Sequence, residues 1–372
     1  MIFCGRANEL SDLISRWKIV SDIESPAPQL VILKAERGVG KTRLALEFYR
    51  WLSENVDAKG PDSYWPDNVD VMSRGFDVNA NPYDCRYNQT MPFLWWGIRA
   101  VDPGAENPIS GDAIASYDRY LAPHLVALAM KSRSIRGGKA LLGVWAEVAK
   151  SEAASWSGYD TVLSVGEGIF KSIQILRGTL EQTKGDATDE INKKSVNRVN
   201  VILDDLEMVL NPRSSEFAKT PAVILIDDAQ FTPNDPGLAD FCEKLMHKSM
   251  TQRWPLLILV THWKRDLSPE FMKSDKSFAG ILHHARDSSR PQQGPVAGLP
   301  GGYLNDLDTF EIDLAPISEL SGALKEALPG LLAEQSEALL HHAGGNPRHL
   351  EQIIAFLKEN ENFLMIMTPQ TH

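Results

Sequence analysis

The sequence predicts an α/β fold: a parallel sheet covered by helices, interrupted by a mainly helical insertion and closed by a C-terminal helical lid. Three observations predict it. Short, continuously apolar runs occur at 30–35 (Leu-Val-Ile-Leu-Lys-Ala), 222–227 (Ala-Val-Ile-Leu-Ile-Asp) and 256–261 (Leu-Leu-Ile-Leu-Val-Thr), and uniform apolarity marks strands buried on both faces. Helix-period stretches separate the strands, which calls for crossover connections and parallel pairing. A glycine-rich turn, Gly38-Val39-Gly40, sits directly between the first run and a stretch of helical period.

Taken in order, the first strand is bounded by Pro28 and the glycine turn. Residues 41–54 follow as a helix, with Leu44, Ala45, Phe48, Trp51 and Leu52 on one face. Residues 69–76 alternate well enough for a second strand. The span 77–220 is too long for a loop and reads as an inserted, mainly helical subdomain. It opens with an aromatic, loop-rich stretch, Pro92-Phe93-Leu94-Trp95-Trp96, whose tryptophan pair is assigned to core packing in preference to an interaction surface. Residues 309–314 alternate as a fifth strand, after a Gly/Pro-rich surface loop around 285–305. From Ser318 three short helices form the lid. The expected division is thus a core of 1–76 and 221–315, an insertion of 77–220 and a lid of 316–372.

Bulk properties narrow the function. Lys and Arg number 38 against 49 Asp and Glu, a net charge of −11, which argues against a surface built to coat duplex DNA. The cysteines, Cys4, Cys85 and Cys242, are far apart with no CxxC pair, so neither a disulfide framework nor a zinc site is expected and a reducing compartment fits. No segment reaches the ~18 apolar residues of a membrane span, and the N-terminus lacks a signal-peptide layout. The expectation is a cytoplasmic protein without a membrane partner.

The chemistry lies in two motifs. Ala35-Glu36-Arg37-Gly38-Val39-Gly40-Lys41-Thr42 fits GxxxxGK[ST], the phosphate-binding P-loop or Walker A motif, except that Ala35 replaces the first glycine. Backbone N–H groups of the loop and first helical turn wrap a β-phosphate. Gly38 and Gly40 permit the loop conformation, Lys41 reaches the β- and γ-phosphates, and the Thr42 hydroxyl ligates Mg²⁺. The matching Walker B acid has two candidates. Residues 201–205 (Val-Ile-Leu-Asp-Asp) belong to a helix-period pattern and read as a helix with Asp204 and Asp205 on its wet side. Residues 223–228 (Val-Ile-Leu-Ile-Asp-Asp) read as a buried strand presenting acids at its C-terminal end, where α/β sheets bind ligands. Asp227 is therefore assigned to Mg²⁺ and Asp228 to the attacking water. Thr261, at the end of the next strand, is the candidate γ-phosphate sensor; Lys264 or Arg265 can touch the same phosphate. Gly344-Gly345-Asn346-Pro347-Arg348 is a helix stop followed by a helix start.

The opening Cys4-Gly5-Arg6-Ala7-Asn8-Glu9-Leu10, the P-loop, Ile226-Asp227-Asp228-Ala229-Gln230, Leu259-Val260-Thr261, Leu314-Ala315-Pro316-Ile317-Ser318 and Gly344-Gly345-Asn346-Pro347, in that order, resemble the STAND and AAA-type ATPases, especially those with an origin-recognition-like ATPase module. The resemblance covers roughly half the chain in three blocks. It implies that Gly5 and Arg6 lie near adenine and sugar, that Pro347 packs on the base, and that the lid closes over ATP or ADP. The implied nucleotide-binding set is Gly5, Arg6, Arg37, Gly38, Val39, Gly40, Lys41, Thr42, Arg43 and Pro347, with Asp228, Lys41 and Thr261 catalytic and Thr42 and Asp227 on Mg²⁺. Family members are switches whose ADP/ATP binding controls assembly, many in signalling, transcription control or antiviral defence. Two departures stand out. STAND proteins usually carry a C-terminal winged helix and repeat sensor, whereas this chain stops at His372; the sensor is then on a protein partner, or the chain is a fragment. A clear arginine finger is also missing. Arg133, Arg136 and Lys139 can act in trans, although solvated charges are the better reading. The expected function is a slow, self-assembling Mg²⁺-dependent ATPase switch, possibilities beside it being a DNA-linked ATPase (a loader, or a transposition or replication helper) and a non-hydrolysing nucleotide-binding regulator.

Overall fold

The structure, a computed structural model, describes residues 5–22, 24–69, 78–102, 113–131, 188–211, 220–267, 276–287 and 301–360. Its strands are β1 (Gln29–Ala35), β2 (Leu94–Arg99), β3 (Ala222–Asp227), β4 (Leu256–Trp263) and β5 (Thr309–Asp313). They form one sheet in the order β2-β3-β4-β1-β5, and every pairing is parallel. The three apolar runs become the three central strands, where both faces are covered. β5, which alternates, is an edge strand with only Ile312 fully buried. Because β4 lies between β1 and β3, pairing Ala35 with Trp263 and Ile226 with Val260, the C-terminal ends of the three strands lie side by side.

Among the described residues the helices are α1 (Ala7–Val20), α2 (Lys41–Asn55), α3 (Ser116–Tyr120), α4 (Ala122–Lys131), α5 (Thr188–Leu210), α6 (Pro236–Gln252), α7 (Phe278–Arg286), α8 (Ser321–Ala327), α9 (Ala333–Ala343) and α10 (Pro347–Glu359). α2 buries Leu44, Ala45, Phe48 and Leu52, the face its spacing predicts. α6 starts where Asp235 accepts the Leu238 N–H at 3.0 Å and Pro236 takes the first helical position. The lid, α8 to α10, has its own core of Leu320, Leu324, Leu339, Leu350, Ile354 and Leu357, with Ile317 at its root. No described helix is long and apolar enough to cross a membrane.

Two expectations change. The stretch read as the loop-rich start of the insertion is β2, the edge strand beside β3. The tryptophans and Gly97 hid it, since an aromatic run of this length has no diagnostic period. Among the described residues its outer edge is met by a side chain: Asn79 donates to Gly97 O at 2.7 Å and accepts the Gly97 N–H at 2.6 Å. A Cβ on Gly97 would lie 2.5 Å from Val78 O, so only glycine permits this approach. Trp95 and Trp96 are buried, in agreement with the core assignment and against an interaction surface. The second change is Asp205. Residues 201–205 are helical, within α5, but Asp205 faces inward and accepts a hydrogen bond from Tyr117 Oη. Burial raises its pKa to about 6. The expected strand at 69–76 lies, from residue 70 on, outside the described residues, as do Arg133, Arg136 and Lys139.

Candidate nucleotide site

Local sequence builds the loop between β1 and α2. Gly38 (φ 85°) and Gly40 (φ 101°) occupy the left-handed region that glycine enters without strain, and Gly40 is the N-cap of α2. Ala35, which breaks the motif, is still extended β1 with no left-handed φ, so its methyl group is accommodated in the core. The N–H groups of the first turn of α2 therefore face the strand ends at the positive end of a helix dipole. Lys41 is 6% exposed. Its ammonium donates to Ala35 O at 3.1 Å and Glu36 O at 3.0 Å. Burial lowers its pKa, against the pull of Asp228, Asp227 and Glu36.

Asp227, fully buried at the end of β3, is the hub. Its Oδ1 accepts from Thr42 Oγ1 at 2.9 Å and from Thr261 Oγ1 at 2.8 Å. Its Oδ2 accepts from Arg99 Nε at 2.9 Å and Arg99 Nη2 at 2.6 Å. Asp228 has φ 56°, an uncommon conformation for a residue with a side chain. Its N–H donates to Thr261 Oγ1 at 2.9 Å, and Gln230 donates to its Oδ1 at 3.1 Å. Burial and the neighbouring Asp227 raise its pKa, against Gln230, Arg99 and Lys41. A carboxylate so raised is a better proton acceptor near neutral pH than an ordinary aspartate. Thr261 thus holds both acids at once, and its single proton is committed to Asp227.

The predicted residues divide accordingly. Gly38, Val39, Gly40, Lys41, Thr42, Asp227, Asp228 and Thr261 converge at the strand ends. Gly5, Arg6 and the lid meet there from the other side. Arg6 is buried and donates to Glu9 at 2.8 Å, to Val39 O at 3.3 Å and to Ala315 O, tying the N-terminus, the loop and the root of the lid. Gly5 packs so closely on Ile317 that a Cβ would fall 2.6 Å from its Cγ2. Asn346 caps α10 and donates to Arg37 O at 3.0 Å, while the Arg348 N–H reaches Gly38 O at 3.4 Å. Pro347 is the first residue of α10. The side chains of two predicted residues face elsewhere: Arg37 is exposed, and Arg43 pairs with Glu47 on the outer face of α2. Lys264 turns to Asp313 on β5. Sequence reasoning missed Arg99, because its only signal was a charged residue ending an unrecognised strand. A cavity of about 620 Å³ lies away from the loop, between Lys34, Leu282, Arg286 and Glu311. Its charged rim is already paired, Glu311 with Lys34 at 2.9 Å and with Arg286 at 3.2 Å, so the strand ends remain the better site.

A glycine-rich loop after β1, an acid at the end of β3 and a polar residue on the intervening β4 make one arrangement. This is the P-loop NTPase fold. Its residues fit a nucleotide and Mg²⁺. Thr42 and Asp227 offer hard oxygen atoms, the donor type that suits a cation which keeps several waters and takes phosphate oxygens. Gln230 Oε1 is buried beside Asp228 with no hydrogen-bond partner among the described residues, an acceptor suited to water. No family model and no curated protein matches the chain. Among solved structures, the Orc1 protein of Aeropyrum pernix in complex with DNA is similar to it at 13% identity and a TM-score of 0.37, over 97% of this chain. The chain spans 61% of that chain's length.

Proposed function

We propose that the protein is a Mg²⁺-dependent ATP-binding switch that hydrolyses ATP slowly and assembles with itself or a protein partner, in the manner of STAND and AAA-type ATPases. One observation supports this most: Lys41, the Thr42–Asp227 pair and Asp228 meet at the strand ends, and the lid touches the same loop through Asn346 and Arg348. Lys41 and the N–H groups of α2 bind phosphates. Thr42 and Asp227 would hold the metal, and a metal bound there would supply neutralisation of charge on the transferred phosphoryl group. Asp228 takes a proton from water as the water oxygen bonds the γ-phosphorus and the β–γ bridging bond breaks, releasing ADP and phosphate. Gly5, Arg6 and Pro347 line the base and sugar side, and nucleotide state sets how the lid sits on the loop. Turnover is slow without a further cation, since an arginine from a neighbouring molecule contributes about 10³ to 10⁵ in phosphoryl transfer.

The test is ATP turnover by wild type, Lys41→Ala and Asp228→Asn, with size-exclusion chromatography in ADP and in a non-hydrolysable ATP analogue. Turnover lost in both variants, with a particle enlarged by the analogue, is the expected result. An inactive wild type whose size ignores nucleotide would sink the assembling-ATPase reading. Turnover stimulated by duplex DNA would move it to a DNA-linked ATPase, and tight nucleotide retention without turnover to a non-hydrolysing regulator.

A further inference from the structure

The carbonyl groups of the loop between β1 and α2 are held one after another. Ala35 O accepts from Lys41 Nζ at 3.1 Å and from the Lys264 N–H at 3.1 Å, and Glu36 O accepts from Lys41 Nζ at 3.0 Å. Arg37 O accepts from Asn346 Nδ2 at 3.0 Å and Gly38 O from the Arg348 N–H at 3.4 Å, both donors lying on the lid. Val39 O accepts from Arg6 Nη2 at 3.3 Å. The same Nη2 donates to Ala315 O at the root of the lid, and Nη1 pairs with Glu9 at 2.8 Å. The root of the lid is joined to its glycine turn, since the Ile317 N–H donates to Gly345 O at 2.8 Å. The lid also packs closely on the loop: a Cβ on Gly38 would lie 2.7 Å from Asn346 Oδ1 and 3.0 Å from Arg348 Cβ. Arg6 is buried, so its cationic donors act where water competes least and such bonds are strong.

A trans peptide unit carries its C=O and the following N–H on opposite sides. Holding Arg37 O and Val39 O toward the lid and the N-terminal segment therefore turns the N–H groups of Gly38 and Gly40 the other way. Both glycines have positive φ, and a glycine-rich loop has many other conformations to occupy when nothing holds it. We infer that Arg6, seconded by Asn346, is a positioning residue of the phosphate loop: it fixes the carbonyl side of the loop so that the N–H side is preset for phosphates. The inference rests on the nucleotide reading above and deepens it. It gives Arg6 a task on the phosphates, through the loop, in place of a contact with the base, because both terminal nitrogens of its guanidinium are engaged with protein. It also separates the donors by role. Lys41 leaves Ala35 O and Glu36 O when it moves to phosphates, whereas Arg6 and Asn346 stay, and the loop keeps its shape as the ammonium departs. Arg6 and Asn346 thereby act on phosphate affinity from the far side of the loop.

The probe is inorganic tripolyphosphate, which has no base or sugar, titrated calorimetrically beside ADP, both with Mg²⁺, into wild type, Arg6→Met, Arg6→Lys and Asn346→Ser. Met keeps the arginine stem, Lys keeps one cationic donor, and Ser keeps an N-cap acceptor for α10. Thermal unfolding checks that each variant is folded at the temperature of the titration. Arg6→Met should weaken tripolyphosphate by about 10- to 100-fold, the worth of a hydrogen bond from a charged donor, and Arg6→Lys by less. Asn346→Ser should weaken it by about two- to fivefold, since that bond is neutral and open to solvent. ADP should weaken alongside tripolyphosphate in each variant, because the effect passes through the phosphates that both carry. A residue that only staples the lid would lower the melting temperature and leave tripolyphosphate affinity alone. That result from the folded variants, or a loss confined to ADP or larger for it, would overturn the assignment. So would a wild type that binds ADP but not tripolyphosphate, because its loop is then not preset. Should Arg6→Met fail to fold, Arg6→Lys and Asn346→Ser decide the matter by the same criteria. A wild type that binds neither ligand would overturn the nucleotide reading itself, which is a different failure from folded variants that bind like wild type.

Discussion

Two regions of this molecule bury ionisable groups, and they treat them in opposite ways. At the strand ends Lys41 and Asp227 are buried and Asp228 is half-buried, but all three stay within reach of opposite charge. Lys41 lies under the field of both acids, and Arg99 forks onto Asp227. Below the helix that follows the P-loop, a second cluster of Tyr64, Trp65, Tyr87, Phe93 and His124 surrounds an imidazole with aromatic faces. His124 is fully buried, stacks on Tyr87 at 5.5 Å, and shares a 2.6 Å hydrogen bond with Tyr64 Oη through Nδ1. Nothing opposes its desolvation, and burial alone drives its pKa to about 3. The same physical cost thus has two outcomes. Where partners of opposite sign are supplied, charge is kept and can be lent to a ligand. Where only rings are supplied, charge is given up and the group becomes part of the packing.

The largest expected difference between the regions is in chemistry. Asp228→Asn should reduce ATP turnover by about 100- to 10,000-fold with nucleotide affinity retained, measured by phosphate release beside a binding titration. Tyr64→Phe, which removes the hydroxyl on His124, should leave turnover unchanged; an equal loss there would break the comparison. Next comes packing. Trp65 is buried and stacks on Phe93 at 5.4 Å, so Trp65→Ala should destabilise the fold by about 3–5 kcal/mol in denaturant titration, with nucleotide affinity of the folded protein unaltered.

Acid sharpens the contrast. The folded pKa of His124 is lowered from 6.5 to about 3 and that of His262 from 6.5 to about 4. The unfolded chain binds the extra protons in that window, so stability is complete above pH 6.5 and falls as pH drops towards 3. The slope approaches about 1.4 kcal/mol per pH unit for each histidine. Asp205 works the other way, because its folded pKa is raised from 3.8 to about 6 and its contribution is lost as pH rises through that range. His124→Gln should flatten the acid limb in pH-dependent melts. Asp228 gives the matching signal in turnover: its raised pKa means that activity climbs with pH until the carboxylate is ionised. The smallest effect belongs to the lid. Asn346→Ala removes the cap of α10 and the bond to Arg37 O, at a cost of about 1 kcal/mol, and should speed nucleotide release in a stopped-flow chase.

Much of the site was legible because it is local. Gly38-Val39-Gly40-Lys41-Thr42 carries its loop conformation in its own glycines, and Asp227-Asp228 ends an apolar run that can only be a central strand. The split between the two acid candidates was equally legible, since Val199, Ile202, Leu203 and Leu206 show a helical period around Asp204 and Asp205. What that period did not show is which side of α5 Asp205 takes, because the partner Tyr117 comes from another helix. Arg99 was hidden for the same reason. An arginine after Trp95-Trp96-Gly97-Ile98 has no local signature, and only the β2–β3 register brings it to Asp227. Thr261 was found by position, but its two hydrogen bonds, to one acid's side chain and the other's backbone, required β4 to lie beside β3.

By itself, then, the amino-acid sequence determined the central strands, the P-loop, the acids of β3 and the three-helix lid, because each is written in the period or the conformational freedom of consecutive residues. The tertiary structure alone decided that β2 forms the sheet edge, that Arg99 neutralises Asp227, that Arg6 joins loop to lid, and that His124 is uncharged. Those outcomes depend on distance and desolvation between segments far apart in the chain, and no residue carries that information until its neighbours are in place.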